Sequence, residues 1–248
     1  MSDQAFEALN TYDWGVEPKV LAPIDEAVIK TRGDAAARAE LEAHLAAELQ
    51  SSAPRAAKDY ACRQLRTIGT ASSVPALAAL LPDPDLSHMA RYALERIPDP
   101  AASAALREQL PKVSGKLKIG IISSLGTRGE DLAAAPATGP FGFLHGAHHG
   151  GTVPLLRTLL TDSDPAVAKA AIHALGVVGT PAASQALASA QSTPGTQTAI
   201  AHATLACAEK LLAAGKKREA KADYERLLKN PPSKLIQSAA DRGVQACG

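Results

Sequence analysis

Aromatic side chains are almost missing from this sequence, in which phenylalanine, tyrosine and tryptophan together make up 3% of the residues. The hydrophobic content is nevertheless 46%, so alanine and leucine must supply most of the core. Both residues are strong helix formers. Alanine also lets helices approach closely, while leucine fills the remaining space. The composition therefore favours a soluble, all-α protein.

Cysteine is equally scarce. The three cysteines, Cys62, Cys207 and Cys247, are too few and too far apart for a disulfide framework, and none forms a Cys-x-x-Cys pair. Cys62 and Cys207 lie in helical patterns and are expected to be small buried residues. Cys247 lies beside the C-terminus and is expected to be exposed.

Long apolar runs and a strong net charge are also lacking. No run approaches the roughly 18 apolar residues of a membrane-spanning helix, so no span is predicted. Residues 1–4 are polar and acidic, unlike a signal peptide, which favours the cytoplasm unless a leader has been removed. A net charge of +1 argues against a protein directed to nucleic acid as a whole.

What the sequence does contain is a repeated helical pair. Residues 74–94 and 153–175 share one order of features, namely Val-Pro, a Leu-Leu pair, Asp-Pro and then Ala-Leu. Each stretch is typical of a helix, a turn and a second helix. Because one such pair cannot bury its apolar face alone, the pairs are expected to stack. The pattern predicts a right-handed α-solenoid of about six helix pairs with one irregular inserted loop.

The predicted organisation is one continuous domain with four parts. These are an N-terminal cap at 1–33 that holds the aromatic residues up to Trp14, helix pairs one to three at 34–130, an inserted loop at 131–151, and helix pairs four to six at 152–248. The insertion is inferred from the number of residues between each turn glycine and the next helix. Gly69 and Gly179 are followed closely by the next helix, whereas the equivalent position after Gly129 is reached only at Val153. These three glycines are expected to adopt left-handed conformations that reverse the chain.

The stretch from Asp164 to Gly176 resembles the second helix of a HEAT repeat, especially the short bacterial type also seen in phycobilisome lyase-related proteins. The resemblance covers about residues 54–214, although Ala168 stands where the family often has arginine. Residues 208–228 look more like half of a tetratricopeptide repeat. Both families form α-solenoids. The resemblance implies a scaffold that binds a protein or peptide, and similar arrays occur inside larger multidomain exported proteins.

The predicted loop is the first candidate site. His145, His148 and His149 lie within five residues, and neutral imidazoles are ligands for zinc, copper or nickel. This pattern is compatible with a metal- or cofactor-dependent enzyme or a metal-binding protein. The alternative is a glycine-rich loop that packs Phe141 and Phe143 onto the helices. Elemental analysis of the purified protein, before and after replacement of the three histidines by alanine, is the measurement that separates these alternatives.

The second candidate is the charge of the second helices, which would line the concave face of a HEAT-like array. Their basic residues could hold an anionic partner such as an acidic protein or, less in keeping with the net charge, a phosphate backbone. His88 and Tyr92 lie one helical turn apart, and His173 occupies the position equivalent to Tyr92. The residues predicted to contact a partner are Arg63, Arg66, His88, Arg91, Tyr92, Lys118, Phe141, Phe143 and His173.

No Ser-His-Asp set, phosphate-binding loop or paired-carboxylate site is apparent from spacing, so no catalytic residue is assigned. The leading hypothesis is a non-catalytic interaction module with a protein or peptide on its concave face. There are two alternatives. One is a metal- or cofactor-dependent enzyme or a metal-binding protein that uses the loop, and the other is a binder of anions or nucleic acid.

Overall fold

The computed structural model describes residues 3–129 and 151–248, and every regular element in these two ranges is a helix. The all-α prediction is therefore confirmed. Short 3-10 turns at Pro18–Leu21, Ala71–Ser73, Leu110–Lys112 and Leu159–Thr161 accompany the α-helices. In the described ranges the α-helices are α1 Asp3–Asn10, α2 Ala22–Lys30, α3 Ala35–Gln50, α4 Arg55–Ile68, α5 Val74–Ala78, α6 Ser87–Leu94, α7 Pro100–Gln109, α8 Gly115–Arg128, α9 Thr152–Thr158, α10 Pro165–Val178, α11 Pro181–Ala188, α12 Gln197–Ala213, α13 Lys217–Lys229 and α14 Lys234–Cys247.

The helices form two compact units, residues 1–113 and 114–248. In the first unit, α3 packs on α4 and α5 packs on α6, which are the first two predicted pairs. The pairs then stack in two rows, since α5 contacts both α3 and α7 while α4 contacts α6. At the N-terminal end, α2 covers α3 and α4, and α1 packs on α2.

The second unit repeats this arrangement. One row contains α8, α10 and α12, each packed on the next, and α9 and α11 form a second row beside them. The last pair, α13 and α14, packs against α12. Stacking of neighbouring helix pairs is thus confirmed within each unit, and the right-handed course predicted for the whole array stays a prediction. No helix in the described ranges has both the length and the apolar character needed to cross a bilayer.

Capping residues and apolar periodicity in the local sequence determine where the helices begin and which side is buried. The Asp34 carboxylate accepts a hydrogen bond from the Ala37 N–H at 3.0 Å and so caps α3. On the same helix Leu41, Leu45 and Leu49 form a buried stripe with the period of one helical turn. Helix α10 begins in the same way, because the carboxylate of Asp164 accepts from the Ala166 N–H at 2.8 Å.

The predicted role of Trp14 in the cap is wrong. Leu9 and Tyr12 are buried at the N-terminal end, whereas Trp14 is 65% exposed. The reason is that Trp14 lies in a turn closed by a hydrogen bond from the Val16 N–H to the Asp13 carbonyl oxygen, within a stretch where all residues from 13 to 20 are exposed. Beyond Tyr12 the chain runs along the surface.

The predicted exposure of Cys247 is also wrong, since only 6% of the residue is accessible. Cys247 ends a stripe of buried residues on α14 that begins at Ile236 and continues through Ala240 and Gly243. Because these residues recur once per helical turn, they lie on one side of α14. That side faces α12 and α13.

The turn glycines follow the prediction at two positions of three. Gly129 and Gly179 have φ values of 74° and 64°, in the region that favours glycine. Gly69 instead has a φ of −61°. Its small size is required by close packing, because a Cβ there would meet the Leu65 carbonyl oxygen and lie 3.2 Å from Ile97 Cδ1.

Candidate interaction surface on helices α4 and α6

Five of the predicted partner-binding residues lie on two helices of the first unit that pack directly against each other. Arg63 and Arg66 belong to α4, and His88, Arg91 and Tyr92 belong to α6. We call these five residues the α4–α6 face. On α4 the buried stripe runs through Ala57, Ala61, Leu65 and Ile68, which leaves the basic residues outside the core. On α6 the buried residues include Ala90, Ala93 and Leu94.

Arg66 and Tyr92 form the centre of this face. The Arg66 guanidinium carbon lies 4.3 Å from the centre of the Tyr92 ring, a cation–π contact between the two helices. Tyr92 is 37% exposed. The buried Nε of Arg66 has no hydrogen-bond partner within the described part of the chain. Stacking on the ring therefore orients a guanidinium whose N–H groups could donate hydrogen bonds to an anionic ligand.

Arg63 is held near a second ring. Its guanidinium carbon lies 5.9 Å from the centre of the Tyr60 ring. The Tyr60 hydroxyl donates to the Asp25 carboxylate at 2.8 Å, and Gln64 Nε2 donates to the same oxygen at 2.8 Å. This network ties α4 to α2, and burial, reinforced by Asp25, raises the pKa of Tyr60. Sequence reasoning missed Tyr60, although it lies three residues before Arg63.

Asp59 is the acidic residue beneath these cations and is 5% exposed. Its Oδ2 lies 3.9 Å from Arg55 Nε, and Arg55 Nη1 in turn lies 2.9 Å from Asp85 Oδ1. Burial raises the pKa of Asp59, while Arg55, Arg63 and His88 oppose the rise. Asp59 and Asp85 thus neutralise Arg55 but leave Arg63 and Arg66 without an ion-pair partner in the described ranges.

The two helices of the first pair differ in charge. Helix α4 carries four cationic residues against one carboxylate, whereas α3 carries one arginine against three glutamates. Two of the α3 glutamates, Glu42 and Glu48, are buried. The cationic character of the first unit is therefore concentrated on the row that contains α4 and α6.

Lys118 and His173 belong to the second unit. The Lys118 Nζ lies 2.7 Å from Asp162 Oδ2, so this lysine already has an intramolecular partner. Its hydrogen bond lowers the pKa of Asp162. His173 is exposed on α10. The predicted stripe that joins Tyr92 to His173 stays a prediction.

The predicted loop residues Phe141, Phe143, His145, His148 and His149 lie outside the described residues. Within the described ranges, no three His, Cys, Asp or Glu side chains are grouped so that they could hold a metal ion. The metal site predicted for the loop stays a prediction.

Buried thiols and carboxylates elsewhere are parts of the core. Burial raises the pKa of both Cys62 and Cys207 to about 12, which keeps these thiols protonated and weakly nucleophilic. In the second unit, Asp223 accepts a hydrogen bond from the Ser184 hydroxyl at 2.8 Å and forms a 2.6 Å ion pair with Arg226. This contact joins α11 to α13.

Part of the chain matches the model of one known protein family. Residues 142–208 match the family model for HEAT repeats. A search of curated proteins finds no significant match.

Among solved structures, the chain is similar to an engineered protein at 19% identity, with 82% of this chain and 94% of that one covered and a TM-score of 0.43. Human deoxyhypusine hydroxylase in complex with glycerol is similar at 16% identity, with 99% and 95% covered and a TM-score of 0.37. A second engineered protein is similar at 18% identity, with 92% and 70% covered and a TM-score of 0.39. Likenesses at these scores transfer no activity or ligand to the chain.

Proposed function

We propose that this chain is a HEAT-like repeat protein and acts as an interaction module that binds an acidic segment of a partner protein on the α4–α6 face. Stacked helix pairs present extended surfaces built from successive repeats, and such surfaces serve binding. The observation that carries the proposal is the Arg66 guanidinium, which is stacked on Tyr92 and has no hydrogen bond or ion pair in the described part of the chain.

The chemistry of the face favours carboxylates. A guanidinium offers a planar fork of donors that matches a carboxylate in two parallel hydrogen bonds. Arg63 lies one helical turn before Arg66, so both can reach neighbouring side chains of one bound segment. The half-exposed Tyr92 ring adds apolar area beside them. Together these groups suit a segment that combines acidic and apolar residues.

The proposal is tested with a fluorescein-labelled, glutamate-rich peptide titrated with dilute protein. We expect Arg66→Ala to weaken binding about tenfold or more, because a charge-assisted hydrogen bond contributes about 1.5–3 kcal/mol. Arg66→Lys keeps the charge but loses the planar fork, so an intermediate affinity is expected. Thermal unfolding of each variant shows whether the fold is retained.

Arg157→Ala is the matched control, since Arg157 is an exposed arginine on α9 of the second unit. It should bind the peptide like the parent protein. A lysine-rich peptide should not bind. Equal affinity of the parent and Arg66→Ala for the glutamate-rich peptide, or no binding by the parent, would overturn the proposal. Preferential binding of a single-stranded oligonucleotide, with affinity that falls steeply with salt, would point to nucleic acid instead.

A further inference from the structure

We propose that the α4–α6 face binds residues 13–17 of a second copy of this chain, so that the protein associates with itself. We call these residues the Trp14 segment. The inference rests on the proposed function and names its partner. The sequence of the segment is Asp-Trp-Gly-Val-Glu, which combines two carboxylates with two apolar side chains and has no cation.

The Trp14 segment is unusually exposed for its composition. All residues from 13 to 20 are exposed, and they include Trp14 at 65% and Val16 at 41%. The neighbouring residues Leu9, Tyr12 and Leu21 are buried, so the exposed segment is anchored on both sides. Exposed apolar side chains grouped in this way are typical of a binding surface.

The segment is also held in a defined shape. The Val16 N–H donates to the Asp13 carbonyl oxygen at 3.1 Å, and Gly15 has a φ of 94°. This is the geometry of a tight turn with glycine at its third position. The Trp14 backbone N–H donates to Asp13 Oδ1 at 2.8 Å. Because the turn is already formed, binding requires little further ordering of the backbone.

The groups on the segment and the face are complementary. Tryptophan is the best aromatic partner for a guanidinium, and Arg66 already lies on one aromatic ring of the face. The carboxylates of Asp13 and Glu17 are negatively charged, whereas Arg63 and Arg66 have no ion-pair partner among the residues that the structure describes. Glu17 forms only a long ion pair, in which its Oε1 lies 3.8 Å from the Nζ of the exposed Lys19. One short segment buries less than the roughly 1,200 Å² of a stable interface, so the association is expected to be weak and dependent on concentration.

Sedimentation velocity of the full chain over increasing concentration tests the inference. The average mass of the parent should rise above that of the monomer, and Trp14→Ala should stay monomeric over the same range. Because Trp14 is largely exposed, this substitution should not lower the thermal stability. Leu235→Ala is the matched control, since Leu235 is 71% exposed on α14 and should leave the association unchanged.

Charge reversal identifies the two surfaces. Asp13→Lys with Glu17→Lys should abolish the association, and so should Arg63→Glu with Arg66→Glu. A mixture of these two double variants should associate again, because each reversed surface now meets its opposite charge. A synthetic peptide of residues 11–19 should compete with the association of the parent.

The outcomes separate this inference from the proposed function. A parent that binds the glutamate-rich peptide but stays monomeric at all concentrations overturns the self-association alone. Association that survives Trp14→Ala and both charge reversals takes place on another surface and also overturns it. A parent that neither binds the peptide nor associates overturns both.

Discussion

Replacing Gly176 with alanine should lower the free energy of unfolding by about 2 kcal/mol, although alanine is normally the better residue in a helix by up to about 1 kcal/mol. Gly176 lies on α10 where this helix meets α12. A Cβ at this position would lie 2.8 Å from both Cα and the carbonyl oxygen of Ala203. Backbone atoms cannot turn away like a side chain, so the two helices must separate.

The same contact recurs one repeat earlier. Gly126 of α8 faces Ala174 of α10, and a Cβ on Gly126 would lie 2.9 Å from the Cα of Ala174. We therefore expect Gly126→Ala to be destabilising as well. Both contacts in the row of α8, α10 and α12 thus place a glycine of one helix on an alanine of the next, which lets a core with so few aromatic residues pack tightly.

Urea unfolding followed by circular dichroism measures the effect. Gly195→Ala is the matched control, because its nearest heavy atom would be Thr193 Oγ1 at 3.9 Å, and it should be close to neutral. Ala203→Gly should not rescue Gly176→Ala, since the clash is with the backbone of Ala203. Full rescue, or a Gly176→Ala variant as stable as the parent, would contradict the close-packing account.

The second large effect is expected at Glu42, where replacement by alanine should cost about 3 kcal/mol of stability, given about 1–3 kcal/mol for each buried polar group left unpaired. Glu42 is 3% exposed on α3. Its Oε1 accepts hydrogen bonds from the backbone N–H groups of Thr70 and Ser73, at 2.6 and 3.1 Å. The Thr70 hydroxyl also donates to the carboxylate, at 2.9 Å. Glu42 therefore caps the turn that leads into α5, the first helix of the next pair.

Glu42→Gln retains an oxygen acceptor and should be destabilised less than Glu42→Ala. The alanine variant removes the acceptor of the Thr70 N–H and leaves the Ser73 N–H with only the Thr70 carbonyl oxygen, at 3.3 Å. Glu40→Ala is the control on the same helix, because Glu40 is exposed and should change stability little. Thermal unfolding by calorimetry compares the three variants. Equal loss in the glutamine and alanine variants would show that the charge, and not the capping hydrogen bonds, stabilises this turn.

Several features of this fold can be predicted from the local sequence. The helices follow from apolar residues that recur once per turn, as in Leu41, Leu45 and Leu49, and from capping residues such as Asp34 and Asp164. These signals act over a few residues, so they can be identified without knowledge of the fold. The stacking of helix pairs follows from the repeat, because no single pair can bury its apolar face.

The errors share one cause. Gly69 and Gly129 occupy similar places in the repeat, but only Gly129 has a positive φ. Trp14 was expected in the cap, but Leu9 and Tyr12 are the residues buried there. Both outcomes depend on how the chain packs against neighbouring helices or runs past them, which the local pattern does not contain.

The amino-acid pattern is sufficient to predict a stack of short helix pairs with cations gathered on the second helix of the early pairs. Which of those cations already have partners depends on how the helices pack together. Lys118 pairs with Asp162, whereas Arg66 rests on the Tyr92 ring and forms no ion pair in the described ranges. The physical reason is that each contact joins residues far apart in the sequence, and their separation in space is set by the packing of the buried helix faces.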